Sequence, residues 1–382
     1  MMKNDHFTKN IGWATILLLG VLSLDVLERF PGFVVRFQSL RRLDLVVKEM
    51  HNGALNADDV HALTAGYYEG IEHTARIAPG AENNDYRISD NFLRYELKPN
   101  VTRRYPAGMR ITNSLGMPNP EYSYQKPPHT RRIALLGDSI SLGPYGHDFV
   151  SLLETRLNQA YTTDQVHKFQ ILNFAVPGYS LLQMMDVALE KTSKFHPDAY
   201  MVELSSQEVL GSRNHVVRLV TSGTDLKYDF LRALIARAGI RPTDRGATIR
   251  MKLAPFFLPL THWALEQIQQ HASAEGAQII ILLVPAVIDA NVSAADFDQL
   301  RPAVDGIGVP VIDLRDTFRS ARLSDFQVVP GVDIHPNLRG HELIFENLYA
   351  KVLAQPGALA ALAGNALENA KKVGTAPTEN PF

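Results

Sequence analysis

The sequence predicts an α/β protein: a three-layer α/β/α sandwich around a mostly parallel five-stranded sheet, preceded by an N-terminal helix and a small β-rich lead-in. Three observations predict it. From Arg131 onward, apolar runs of strand length alternate with runs of helix length, the rhythm of strands joined by crossover helices. The strand-like runs are apolar on successive residues, as strands covered on both faces require. The first run, Ile133–Leu136, stops at Gly137 and is followed at once by Asp138 and Ser139. Open parallel sheets present their polar groups beyond the carboxyl ends of their strands in just this way.

In chain order, Lys3 and Lys9 precede an uncharged apolar run, Ile11 to Leu24. A basic start before an apolar stretch is the pattern of an export signal. The run falls short of the roughly 20 residues that span a bilayer comfortably. Residues 1–30 are therefore expected to form a signal anchor or, with Val21-Leu22-Ser23 as a marginal cleavage site, a signal peptide; a buried helix is the remaining alternative. Residues 31–84 read as a helical stalk or cap, with helices over Phe37–Met50 and Ala57–Ile77. Residues 85–130 read as a lead-in of short strands and turns ending in a Pro127-Pro128 linker.

The α/β domain is expected over 131–355. Its strands are placed at Ile133–Leu136, Phe169–Phe174, Ala199–Leu204, Gln278–Val284 and Val309–Leu314. Its helices are placed at His147–Gln159, Leu181–Thr192, His262–Ala274, Ala294–Ala303 and Leu338–Leu353, with an insertion at 212–260. Within and just beyond the insertion, Lys252–Leu265 is strongly apolar and reads as a lid or packing helix, with membrane contact as the alternative. Residues 356–382, rich in Ala, Gly, Asn and Pro, read as a disordered tail.

Composition narrows the function. Thirty-eight Lys and Arg against 40 Asp and Glu leave no basic surplus for nucleic acid. There is no cysteine, which removes disulfides, thiolate metal sites and a cysteine nucleophile together. The 13 histidines show no metal-ligand spacing. Neither a metal nor another cofactor is expected.

The residues that carry chemistry lie at strand ends. Ser139 taken alone reads as a helix N-cap, and His335 in Asp333-Ile334-His335-Pro336-Asn337 as a surface histidine. Taken together they supply a nucleophile, a base and an orienting acid in the order Ser, Asp, His. Gly178, in Val176-Pro177-Gly178-Tyr179-Ser180, follows the second strand, and Gln207, in Ser205-Ser206-Gln207-Glu208, follows the third. Both meet Ser139 at the rim of a parallel sheet, where N–H groups stabilise a developing oxyanion. Ser205 and Ser206 read as strand-end residues.

This layout resembles the SGNH, or GDSL-like, hydrolase family over roughly Arg131 to Leu353. Gly137-Asp138-Ser139-Ile140-Ser141 matches its first block, Asn173–Ser180 its second, and His335-Pro336-Asn337 with Gly340-His341 its last. Leu97–Asn100 and Asn113–Gly116 resemble the segment that precedes the catalytic domain in many membrane-tethered members. The resemblance implies the flavodoxin-like SGNH fold, with Ser139 as nucleophile, His335 as base, Asp333 as orienting acid, and Ser139 N–H, Gly178 N–H and Gln207 as the oxyanion hole. Two departures stand out. The third block, usually Gly-x-Asn-Asp, is Ser205-Ser206-Gln207-Glu208. The acid stands two rather than three residues before the histidine, with Val at 332; a Ser–His dyad is the alternative to a triad. The expected function is an exported, membrane-anchored serine esterase or acyl transferase. It would act on acylated carbohydrate or another ester from outside the cytoplasm, in the periplasm of a Gram-negative cell. A catalytically degenerate scaffold of the cell envelope is the rival reading, and the sequence names no protein partner.

Overall fold

The computed structural model describes residues 85–364 except 106, 107, 119 and 332. The expected anchor (1–30), the stalk (31–84) and the chain from 365 onward lie outside the described residues. Five strands form the central sheet: β5 (Thr130–Leu136), β6 (Lys168–Asn173), β7 (Ala199–Ser205), β8 (Gln278–Val284) and β9 (Val311–Asp313). Their order is β6-β5-β7-β8-β9, every pair parallel. This is the doubly wound order whose direction of winding reverses between β5 and β7. β7 is buried along all seven residues and β8 along six, which explains why both read as unbroken apolar runs. β9 is shorter than the six residues expected, because Pro310 has no N–H to donate to the ladder; its carbonyl still accepts from Ile281 N–H at 3.0 Å.

Helices cover both faces. α1 (Phe149–Ala160) packs with α8 (Leu338–Ala354), while α2 (Leu181–Glu190), α3 (Glu208–Thr221), α6 (Phe257–Ala274) and α7 (Ala290–Asp305) pack as a second group. α6 starts five residues earlier than its periodicity suggested. Pro259 sits in its first turn, where N–H groups have no intrahelical partner and proline costs little. α3 runs straight on from the end of β7, so residues 212–221 are no insertion. The interruption reduces to α4 (Asp229–Arg237), α5 (Gly246–Leu253) and their connections.

The lead-in is two antiparallel hairpins, β1 (Tyr86–Ile88) with β2 (Tyr95–Leu97) and β3 (Thr102–Tyr105) with β4 (Gly108–Ile111). The following segment is tied down by Arg132, which is wholly buried. Its guanidinium donates to the carbonyls of Ser123, Tyr124 and Phe195 and to Gln170 Oε1, at 2.9–3.1 Å. A buried guanidinium persists only when its donors are matched in this way.

The tail departs from expectation at its start. Residues 356–363 form α9 (Pro356–Ala363), with Pro356 in the first turn and Leu359 and Leu362 buried. Its last carbonyls are capped by a cation from β5: Arg131 Nε donates to Leu362 O at 2.6 Å and Nη2 to Ala361 O at 2.7 Å. A positive group on the free carbonyls of a helix C-terminus satisfies them and opposes the helix dipole. Composition alone gave no sign of this cap, because its donor lies more than two hundred residues upstream. Arg131→Met is expected to lower unfolding free energy by about 1–3 kcal/mol, the worth of charge-assisted hydrogen bonds. Urea denaturation measures it, and catalytic rate per folded molecule should stay unchanged.

Candidate active site

Beyond β5 the chain turns at Gly137 into a single 3-10 turn, Ser139–Ser141. Asp138 caps it, accepting Ile140 N–H on Oδ1 at 2.8 Å and the Ser205 hydroxyl on Oδ2 at 2.7 Å. The Asp138 N–H donates to Glu203 Oε2 at 2.9 Å, and Ser141 Oγ donates to the same oxygen at 3.2 Å. The turn that carries Ser139 is thus stitched to β7 at two points. Glycine at 137 follows from this packing: a Cβ there would lie 2.7 Å from Glu203 Oε2 and 2.9 Å from Ser141 Oγ. Ser139 itself caps no helix, since Asp148 caps α1 by accepting Ser151 N–H at 2.9 Å.

Burial, reinforced by the Asp138 carboxylate, holds the Glu203 carboxyl well above the usual carboxylate range. Burial also raises Asp138, against the pull of the Ile140 N–H and the Ser205 hydroxyl.

The second half of the site comes from the loop before α8. Gln327 pairs with Pro336 across an isolated bridge, Val328 N–H donates to His335 O at 3.0 Å, and Asn337 Nδ2 donates to Asp325 O and Gln327 O, each at 3.0 Å. Ile334 O accepts Val287 N–H at 2.8 Å, anchoring the loop beside the end of β8. Held this way, His335 Nε2 lies 2.9 Å from Ser139 Oγ, and His335 Nδ1 lies 2.5 Å from Asp333 Oδ1. The same Asp333 oxygen accepts His335 N–H at 2.9 Å. The acid two residues before the histidine thus reaches the ring by folding back over its own backbone. Burial works to raise the Asp333 carboxyl, but its bonds to the His335 ring and N–H keep it below the ordinary range, so it stays ionised beside the imidazole.

Gly178 sits in the seven-residue connection between β6 and α2 with φ +75°, a conformation that costs glycine alone nothing. Its N–H has no hydrogen-bond partner among the described residues. Gln207 occupies the N-cap of α3, and its side-chain Nε2 is buried with no hydrogen-bond partner among the described residues. Buried donors are rarely left unpaired. Gln207 Nε2 is such a donor, and it and the N–H of half-buried Gly178 follow β7 and β6, the strands that flank β5.

Residues 135–343 match the model of the GDSL-like lipase/acylhydrolase family. The chain belongs to this family. Solved structures similar to it include a lipase/acylhydrolase from Enterococcus faecalis, at 14% identity and a TM-score of 0.36 over 58% of this chain and 95% of that one. An acetylxylan esterase from Geobacillus stearothermophilus is similar at 13% identity and a TM-score of 0.38, over 58% and 94%. A psychrotrophic esterase from Pseudoalteromonas sp. is similar at 13% identity and 0.34, over 59% and 97%. No curated protein matches the chain.

Three residues around the GDSL-like site escaped the reading of the sequence. Ser205, read there as a plain strand-end residue, donates to Asp138. Glu203 carried a visible signal, a lone acid inside the apolar strand Ala199–Ser205, that was not used. Glu208, next to Gln207, is buried and accepts Leu181 N–H on Oε2 at 2.8 Å and Ser212 N–H on Oε1 at 3.2 Å. It thereby joins the first turn of α2 to that of α3. Among the described residues, no group of three or more His, Cys, Asp or Glu is placed to hold a metal ion, and no helix is long and apolar enough to cross a membrane. A cleft of about 280 Å³ opens between the lead-in and the β6–α2 connection, lined by Tyr124, Phe174 and Phe195 among others; neither Ser139, Gly178 nor His335 lines it.

Burial pushes the Glu208 carboxyl from 4.5 up to about 7, against the bonds from Ser212 and Leu181. Between those values the unfolded chain releases a proton that the folded chain keeps. Stability should therefore fall as pH rises from about 4.5 to about 7, by ~3 kcal/mol in all. Glu208→Gln should remove that part of the slope, as read from urea unfolding of the two proteins at several pH values across the window.

Proposed function

We propose that this chain is a serine esterase or acyl transferase working through an acyl-enzyme on Ser139. One observation carries the reading: the continuous hydrogen-bonded path from Ser139 Oγ through both nitrogens of His335 to Asp333. A serine hydroxyl is a weak nucleophile until a base takes its proton. As Ser139 Oγ attacks an ester carbonyl, His335 Nε2 accepts that proton, and Asp333 holds the Nδ1 proton and offsets the imidazolium charge. The carbonyl oxygen, now negative, is met by the N–H groups of Ser139 and Gly178 and by Gln207 Nε2. One well-aimed donor of this kind lowers a barrier by about 3 kcal/mol. His335 then returns the proton to the leaving oxygen as the C–O bond breaks. A second acceptor, water for hydrolysis or a sugar hydroxyl for transfer, repeats the attack on the acyl-enzyme and frees Ser139.

The substrate we propose is a short O-acyl group, such as O-acetyl, on cell-envelope carbohydrate, with the enzyme anchored by residues 1–30 and its bulk outside the cytoplasm. The basic start and apolar run of the N-terminus support that location. The buried, unpartnered amide of Gln207 favours an active enzyme over a scaffold. Gln in place of the family's Asn keeps the amide donor that an inert binding surface would not need.

The purified chain is expected to turn over p-nitrophenyl acetate and to be labelled by a fluorophosphonate at Ser139. Ser139→Ala should abolish both, and a rate equal to that of the parent would exclude this mechanism. Asp333→Asn should leave labelling detectable but lower kcat by about 10³-fold or more, because the amide no longer fixes the productive imidazole tautomer.

A further inference from the structure

The structure assigns Tyr95, in the lead-in and outside the family match at 135–343, as the positioning residue of the oxyanion hole: its hydroxyl locks the peptide that carries the Gly178 N–H. The inference rests on the reading of Gly178 N–H as an oxyanion donor.

Tyr179 N–H donates to Val176 O at 3.1 Å across Pro177 and Gly178. Proline first, glycine at φ +75° second and a four-residue closing bond make a type II turn. The central peptide of such a turn joins Pro177 C=O to Gly178 N–H. Its alternative is a flip of that one peptide, which converts type II to type I and reverses both groups. Proline and glycine are both tolerated across the flip, so the local sequence does not fix the direction in which the N–H points.

Tyr95 does. Its hydroxyl donates to Pro177 O at 2.8 Å, and both partners are buried. A peptide is planar, and this one is trans, so its C=O and N–H point in opposite directions. A donor fixed on the oxygen behind therefore fixes the N–H in front. The same bond draws electron density toward the carbonyl oxygen and makes the N–H a stronger donor. A second bond joins the same two segments without touching the Pro177–Gly178 peptide: Tyr179 Oη donates to the backbone Tyr95 O at 2.6 Å, and the two rings meet edge-on with centroids 5.5 Å apart. Gln183, in the first turn of α2, adds a third tie by donating from Nε2 to Leu93 O at 2.8 Å while its Oε1 accepts Ser180 N–H at 3.1 Å. The residues on either side of Gly178 are thus bonded to one residue of the lead-in.

The test compares Tyr95→Phe with Tyr179→Phe in the full chain, with kcat expressed per site titrated by a fluorophosphonate, so that only folded molecules are counted. Each variant deletes one buried hydroxyl between the same two segments and keeps the ring. Only Tyr95→Phe frees the Pro177–Gly178 peptide. It is expected to lower kcat on p-nitrophenyl acetate by about tenfold with KM within about twofold, the pattern of a contact made only in the transition state. Affinity for a trifluoromethyl ketone, whose tetrahedral adduct carries the oxyanion, should fall by the same factor. Tyr179→Phe should stay within about twofold in kcat per site. Equal losses in the two variants would reduce the effect to loosened packing and overturn the assignment, as would a Tyr95→Phe enzyme with parental kcat and ketone affinity. Absence of any Ser139-dependent turnover in the parent would instead sink the esterase reading, and this assignment with it.

Discussion

A hydrogen bond of 2.9 Å joins Ser139 to His335 across 196 positions of sequence. Neither segment holds its partner directly. The serine is fixed by the end of β5 and its stitches to β7; the histidine is fixed by a loop braced against the β8 end and the cap of α8. Because all five strands run in parallel, their carboxyl ends share one edge, and both segments emerge there. The geometry of the site is a property of the sheet before it is a property of either motif. It lies where the winding reverses between β5 and β7.

Three buried acids hold the turns at that switch point. Asp138, at the end of β5, Glu203, in β7, and Glu208, at the start of α3, are all buried. Each accepts backbone N–H groups from the turns that carry the reacting or stabilising atoms. Asp138 closes the nucleophile turn, Glu203 draws that turn down onto β7, and Glu208 ties α2 to α3. Burying carboxyls is unfavourable unless they are protonated or well bonded, and here burial raises all three. Short carboxyl side chains accept from two directions at once, which makes them effective staples for sharp turns. The cost is a fold whose stability falls as pH rises from about 4.5 to about 7.

The lead-in belongs to the same argument. Its hairpins look like an appendage in sequence, yet Tyr95 reaches the connection that carries Gly178, Leu93 accepts from Gln183 in the first turn of α2, and Arg132 secures the chain that leads from the hairpins into β5. Gln207 and Glu208 stand beside this arrangement: the glutamate accepts from the first turn of α2, and the glutamine Nε2 has no hydrogen-bond partner among the described residues.

By itself the sequence determined the fold class, the order of the strands, and the residues of the proposed nucleophile and base. Each is written locally, in runs of apolar residues whose period sets the element and in motifs placed at strand ends. It left the acid open, because two-residue spacing reads as a triad or a dyad until the backbone is seen folding Asp333 onto the ring. It misjudged the stretches that touch distant partners: α9, whose cap comes from Arg131; the start of α3, which extends from β7 into the expected insertion; and Ser205, whose partner is Asp138. Tertiary structure alone decided those, and with them the orientation of the Gly178 peptide. A hydrogen bond between residues eighty or two hundred positions apart leaves no period or spacing in the chain, and only the packed sheet brings its two ends together.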